Sequence, residues 1–347
     1  MSQVSQSAIL SEGQLELPGV VVEATSEWVW TEQMEEEADV VEFVHTTVMK
    51  AEIIEALAPS AGVYVDATVG GGGHAEAILE ADPEVRVVAL DRDSVAIEAS
   101  RARLARFGDR VSFINTPFSR VKEALGALGI ESVSGLCADL GVSSPQLDDA
   151  TRGMSFRREG PIDMRMDKAS GETAIELIAR LSDEDLAAII FRYGEERKSR
   201  RVARSIKRAL ANRELKTTLD LRRAIVRAVG PVRVGGVDPA TRTFQGLRIA
   251  VNRELEQLEA LLTALPSIVA PGGVIAILSF HSLEDRLVKR AMHDAAAWQC
   301  VTKKPICATD HEAAQNPRSR SAKLRVARKL APSDTCTDDD GNVESEP

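Results

Sequence analysis

The stretch DATVGGGGHAEAIL, residues 66–79, sets four glycines between an acid and a histidine. Glycines at such a junction permit positive φ and let a ligand approach the backbone. A helix opening behind them offers unpaired amide N–H groups. A loop that cradles the phosphates of a nucleoside triphosphate needs Lys and then Ser or Thr after its last glycine, whereas His74 and Ala75 stand there, which argues against that ligand. Gly70, Gly72 and Ala75 satisfy the dinucleotide fingerprint, and Asp91 follows about 20 residues on, where a carboxylate accepts from both hydroxyls of a ribose. Any adenosine ligand meets these terms, and Asp91 also suits the N-terminal acid of a helix. Asp66 discriminates better. A carboxylate just before the glycines repels a pyrophosphate and attracts an ammonium and a sulfonium, so the loop favours S-adenosylmethionine over NAD. His74 reads equally well as a loop ligand or as a helix residue packed on a sheet.

A second group of polar residues lies in DLGVSSPQLDDATRGMSF, from Asp139 onward. Ligands of open α/β sheets bind beyond the carboxyl ends of strands. Asp139 and the turn Ser143–Ser144–Pro145–Gln146 are therefore expected to face the reacting carbon of a bound methyl donor. Cys137 lies within the preceding strand and is not placed as a nucleophile.

These residues need a scaffold, and its pattern is legible. GVYVDAT (62–68), VRVVALDRD (85–93), RVSFINTPF (110–118) and VSGLCADLGV (133–142) read as strands, with helical patterns between them and at 48–58. The alternation predicts a parallel, doubly wound α/β sheet. It stops for about 110 residues, while 172–229 and 241–264 read as helix, and a strand returns in PGGVIAILSFHS (271–282). The fold class is α/β, a Rossmann-like methyltransferase sheet with an inserted all-helical domain. The expected boundaries are 45–146 with 251–330 for the sheet domain and 147–250 for the insertion.

The net charge of −10 conceals a basic body. Residues 1–44 hold ten acidic residues, residues 331–347 hold six, and neither stretch contains Lys or Arg. Without them, 37 acidic residues face 43 basic ones. Both acidic tails are expected to be disordered, since their composition cannot bury enough apolar surface to fold alone. The cysteines at 137, 300, 307 and 336 lack close metal-ligand spacing, so no metal site is expected and reduced thiols are. No apolar run is long enough to span a bilayer and no signal pattern is evident. A cytoplasmic protein is expected.

The motifs HTTV, DATVGGGGH, ALDRD, DLGVSSPQLD, GPIDMRMD, YGEER, PATRTFQGLRIAVNREL, SFHSLEDRLVK and NPRSRSAKLR, in this order from His45 to Arg328, resemble the bacterial small-subunit ribosomal RNA cytosine-N4 methyltransferase family, methyltransferase H. Asp238 stands where the family usually has His, and Met154 where Phe is usual. The resemblance implies S-adenosylmethionine as methyl donor and the exocyclic amine of a decoding-centre cytidine in 16S ribosomal RNA as acceptor, position 1402 in the family. It implies cofactor contacts at Gly72, Gly73, His74, Asp91, Phe118, Asp139 and Gln146, beside Asp66. Asp139 or the Ser143–Ser144 turn is expected to accept from the amine.

His281 and Glu284 are candidates for contact with a flipped base, against a reading in which Ser282 and Asp285 merely cap a helix. For the RNA, the basic helix 193–213, with Arg197, Arg201 and Arg204, and the basic segment 316–329 are expected to neutralise phosphates. In the alternative for the helix, its charges are a solvated face balanced by Glu195 and Glu196. Three rival functions remain at this level: an NAD-dependent dehydrogenase, a non-catalytic RNA-binding assembly factor, and a DNA amine methyltransferase. The first leaves Asp66 and the basic insertion unexplained. The intact loop and Asp139 argue against the second, and only the resemblance argues against the third.

Overall fold

The protein is described here by a computed structural model, which covers residues 47–231 and 238–331. Most of the two acidic tails, and Cys336 with them, lie outside the described residues. The strands are β1 (Gly62–Asp66), β2 (Val85–Asp91), β3 (Val111–Asn115), β4 (Val133–Asp139), β5 (Val269–Ser279), β6 (Trp298–Cys300), β7 (Ile306–Cys307) and β8 (Lys323–Lys329). They form one sheet of order β3-β2-β1-β4-β5-β8-β6, with β7 also paired to β8. The strands from β1 to β5 pair in parallel. Helices α1 (Lys50–Leu57), α2 (Gly73–Ala81), α3 (Ser94–Leu104), α4 (Val121–Ala127) and α5 (Ser144–Asp148) follow or connect them.

Apolar side chains fill both faces of this sheet, which is why its strands read as continuous apolar runs. Val65, Val88, Leu136, Ile275 and Ile277 point to one face. Tyr64, Val87, Cys137, Val274 and Leu278 alternate with them onto the other. The strand order reverses direction between β1 and β4, and the chain leaves their carboxyl ends in opposite senses. That divergence opens a crevice where α/β sheets bind ligands.

Between β4 and β5 run α6 (Ala174–Arg180), α7 (Asp183–Gly194), α8 (Ser199–Ala211), α9 (Thr218–Val229), α10 (Thr241–Asn252) and α11 (Glu254–Ile268). Residues from Met154 to Leu247 bury a core of their own, with Ile190, Val202, Ile206, Leu221 and Leu247 at its centre. The helix α11 belongs to the sheet instead: Leu258, Leu261 and Leu265 pack on its face. Arg253, at φ 52, makes the break between α10 and α11. The two departures from the family pattern sit in this region and have local partners. Met154 is buried in the helical core, and Asp238 pairs with Arg222 at 2.8 Å and accepts from the Ala240 amide.

The C-terminal part corrects the sequence reading. After α12 (Ser282–Met292) come β6, β7, α13 (Asp310–Gln315) and β8. The second half of segment 316–329, expected to neutralise phosphates, is β8, paired antiparallel to β5 inside the sheet. Its Arg325 is buried and bonds Asp285 of α12 at 2.6 Å. The alternation of Leu324 and Val326 was masked by the basic residues between them.

The insertion is tied to the sheet by a buried ion pair. Arg152 donates to both oxygens of Asp93, at 3.0 and 2.8 Å, and to the Met166 carbonyl. Asp93 is also the N-cap of α3. Removing one partner strands a buried charge, which costs about 3–5 kcal/mol. Arg152→Ala is expected to lower the urea midpoint of unfolding with little change in its slope. An unchanged midpoint would show that the pair holds nothing together.

Candidate active site

Residues from five strand ends line one cavity at the crevice. Thr68, Gly70, Gly73 and His74 come from the loop after β1, Asp91 and Arg92 from the end of β2, and Phe118 from beyond β3. Asp139, Ser143, Ser144 and Gln146 come from β4 and its exit, and Phe280 from beyond β5. Met166 and Arg248 of the insertion, Arg318 before β8, and Thr47 and Val48 before α1 complete the wall. Most of the cofactor residues expected from sequence are thus brought together.

The glycine loop is held from below. Asp91 accepts from the Gly70 amide at 3.0 Å and, through its other oxygen, from the Asp93 amide at 2.9 Å. Gly72 caps α2 at φ 80, a conformation that favours glycine. A Cβ on Gly73 would lie 1.8 Å from Thr47 Oγ1, so the helix start packs directly on the segment before α1. His74 is buried and its Nε2 lies 3.0 Å from the Val48 carbonyl. It is therefore both a wall of the cavity and a strut to that same segment. Gly72 and Asp66 do not border the cavity: Asp66 lies under the loop, where one oxygen accepts from the Thr68 amide at 3.2 Å and the other has no partner among the described residues.

Beyond β4, Ser143 and Gln146 form a reciprocal cap on α5. Gln146 also donates to Asp93 at 2.9 Å. The Ser143 hydroxyl is thereby engaged in the cap. The backbone N–H of Asp139 donates to Thr68 Oγ1 at 2.6 Å, while its Oδ1 is buried without a partner among the described residues. Cys137 is buried within β4 and burial pushes its thiol up, so it makes no nucleophile.

His281 and Glu284 are not among the residues that line the cavity. Their bonding corrects the expected cap: His281, not Ser282, is the N-cap of α12, and Glu284, not Asp285, completes the box. Glu284 accepts from the Phe280 amide at 2.8 Å, so the pair sets the position of a cavity residue. Glu254 joins them in a cluster whose spacing would suit a metal. Both its oxygens are taken by the Arg248 guanidinium, at 2.8 and 2.9 Å, and that charge opposes a further cation.

The basic helix 193–213 is in two parts, since α7 ends at Gly194 and Glu195, at φ 53, turns the chain before α8. Arg197, Arg201 and Arg204 are exposed on a separate groove together with Asp183 and Glu184. Glu195 and Glu196 do not balance them. Glu195 bonds Ser282, and Glu196 is buried and accepts from the Lys198 amide.

Three carboxyls beneath and beside the cavity are pushed up, chiefly by burial: Asp139 to about 8, Asp66 to about 7 and Asp91 to about 6. Their mutual repulsion adds to this. The arrangement suits a ligand that carries positive charge and an adenosine, and S-adenosylmethionine fits it. A pyrophosphate does not.

A family model described as the MraW methylase family matches residues 42–330. The chain belongs to the MraW methylase family. It is 64% identical over 287 residues to the ribosomal RNA small subunit methyltransferase H of Sorangium cellulosum, covering 82% of this chain and 91% of that protein. The protein of the same description from Synechococcus elongatus is 47% identical over 292 residues, covering 84% and 96%. That of a Geobacter species is 46% identical over 310 residues, covering 83% and 99%. The motif resemblance to methyltransferase H is borne out. Among the described residues no helix is long and apolar enough to cross a membrane.

The raised carboxyls set a pH dependence. Each holds a proton in the folded protein over a range where the unfolded chain has released it. Their contribution to stability is therefore full below about pH 4 and is lost as pH rises through 6 to 8. A cationic ligand favours the ionised forms. At pH 7, S-adenosylmethionine binding is expected to release protons, seen as a calorimetric heat that varies with the ionisation enthalpy of the buffer. Proton uptake on binding would contradict the assignment.

Proposed function

We propose that this protein transfers the methyl of S-adenosylmethionine to N4 of a decoding-centre cytidine in 16S ribosomal RNA. The observation that carries the reading is the Asp139 carboxyl: it stands at the cavity wall at the end of β4, with a buried oxygen that has no hydrogen-bond partner among the described residues.

A cytosine amine is a poor nucleophile because its lone pair is delocalised into the ring. The bound cofactor supplies a methyl activated by the positive charge on sulfur. Asp139, once ionised, accepts a hydrogen bond from the amine, restores lone-pair character to nitrogen and takes the proton as the new bond forms. Asp91 holds the ribose and, through Gly70, keeps the glycine loop in place. Phe118 packs near the adenine. Holding the amine in line with the methyl supplies much of the rate by orientation alone.

The insertion, taken as residues 147–250, serves RNA recognition in this reading. Arg197, Arg201 and Arg204 face solvent without a carboxylate in ion-pair reach among the described residues. Such guanidinium groups suit phosphates. The names of the relatives support small-subunit ribosomal RNA as the substrate.

Asp139→Asn should lower kcat on small ribosomal subunits by roughly 100-fold or more, while cofactor affinity stays within a few-fold. Equal losses in both would make Asp139 a binding residue only. With wild-type protein and labelled cofactor, mass spectrometry of the digested RNA should find N4-methylcytidine. A different modified nucleoside, or labelled DNA, would overturn the function. Replacing Arg197, Arg201 and Arg204 together by Gln should flatten the salt dependence of RNA binding, by a slope of about 0.7 for each lost phosphate contact to single-stranded RNA. An unchanged slope would remove this groove from the RNA interface.

A further inference from the structure

Three guanidinium groups line the cavity, and one of them is held by a carboxylate. Arg248 is held by both oxygens of Glu254. Arg92 donates through Nη1 to the Asn252 carbonyl at 3.1 Å, and its Nε is buried without a partner among the described residues. Arg318 has one hydrogen bond among the described residues, from Nη2 to the Ser143 carbonyl at 3.3 Å, and no carboxylate in ion-pair reach. A guanidinium carries five N–H donors in a planar fork, so most of those on Arg318 remain available. Its place is well determined: the turn Ser319–Ser321 follows it, with Ser319 buried and bonded to the Asn316 carbonyl, and β8 is then locked onto β5. Asp139 and Arg318 line the same cavity, and each acts on the other's charge. The cavity thus presents both an acceptor and a fork of donors.

Cytosine offers the complementary edge: a donor amine at C4, then the acceptors N3 and O2. Uracil inverts the first two, and adenine has its amine and N1 but no third acceptor. We propose that Arg318 reads the target base, donating to N3 and O2 of cytosine while Asp139 accepts from the amine. This rests on the function proposed above. The Ser143 carbonyl orients the fork, which links base reading to the α5 cap. Donation to N3 draws charge out of the ring, and the carboxylate opposite returns it to the amine. Arg318 would then select cytosine, and Asp139 would make it reactive.

The test pairs a side-chain change with a single-atom change in the substrate. Small subunits are assembled with either cytidine or 3-deazacytidine, which lacks the N3 acceptor, at the modified position. Arg318→Met is expected to lower kcat/KM on cytidine roughly 10- to 100-fold, the range of a lost bidentate base contact. On 3-deazacytidine the same variant should differ from wild type clearly less. Arg318→Lys keeps the charge without the fork and should show the same loss of discrimination. It also serves if Arg318→Met fails to fold. Equal factors on both substrates would overturn the proposal. So would a matching fall in S-adenosylmethionine affinity, which would place the guanidinium on the carboxylate of the cofactor. If wild-type protein leaves N4 of cytidine unmodified, the underlying function falls. If wild type modifies it but the two changes simply multiply, only the role of Arg318 falls.

Discussion

Asp66, Asp91 and Asp139 end adjacent strands of one sheet and are buried together with too little positive charge to balance them. Water solvates a carboxylate far better than a protein interior does, so each such group costs stability unless it is paired or protonated. Two of the three retain a buried oxygen with no partner among the described residues. Their presence at the crevice accounts for much of the local architecture. The loop amides of Thr68 and Gly70 turn inward to serve Asp66 and Asp91, and the glycines let the backbone make that turn. Positive charge beside these carboxyls favours their ionised forms, and a sulfonium ligand supplies it.

The second dependence runs from this floor to the helical insertion. Asp93, two residues past Asp91, receives Arg152 and Gln146 from beyond β4. Neighbouring Arg92 reaches the carbonyl of Asn252, and Asn252 in turn bonds the backbone of Met164 and Met166. The insertion is fastened at both its entry and its exit, beside Asp91. Several buried charge-assisted bonds meet at this joint.

Much of this was legible in the residues, for reasons that differ by element. The strands β1 to β4 showed because parallel strands covered on both faces become unbroken apolar runs. The glycine loop showed because positive φ demands glycine, and Asp66 because its charge opposes a phosphate. The strand β8 did not show. Its inward residues alternate with Lys and Arg, and the burial of Arg325 depends on Asp285, distant in sequence. The cap at His281 was misplaced by one residue, because histidine is an uncommon cap and Ser282 beside it a common one. Arg318 sat inside a recognised motif, but nothing in its spacing separates a cavity guanidinium from a phosphate binder.

That last case bears on how base selection and chemistry are divided in this site. In the proposed reaction Asp139 alone would accept from any amine that reaches it, so it could not distinguish cytosine from adenine. Discrimination requires donors for the acceptors beside the amine. The segment before β8 is placed to supply them, because its position is set by the antiparallel pairing of β8 to β5 and by the Ser319 turn. The antiparallel C-terminal strands therefore do more than close the sheet. They bring the Arg318 guanidinium to the cavity that the five parallel strands open.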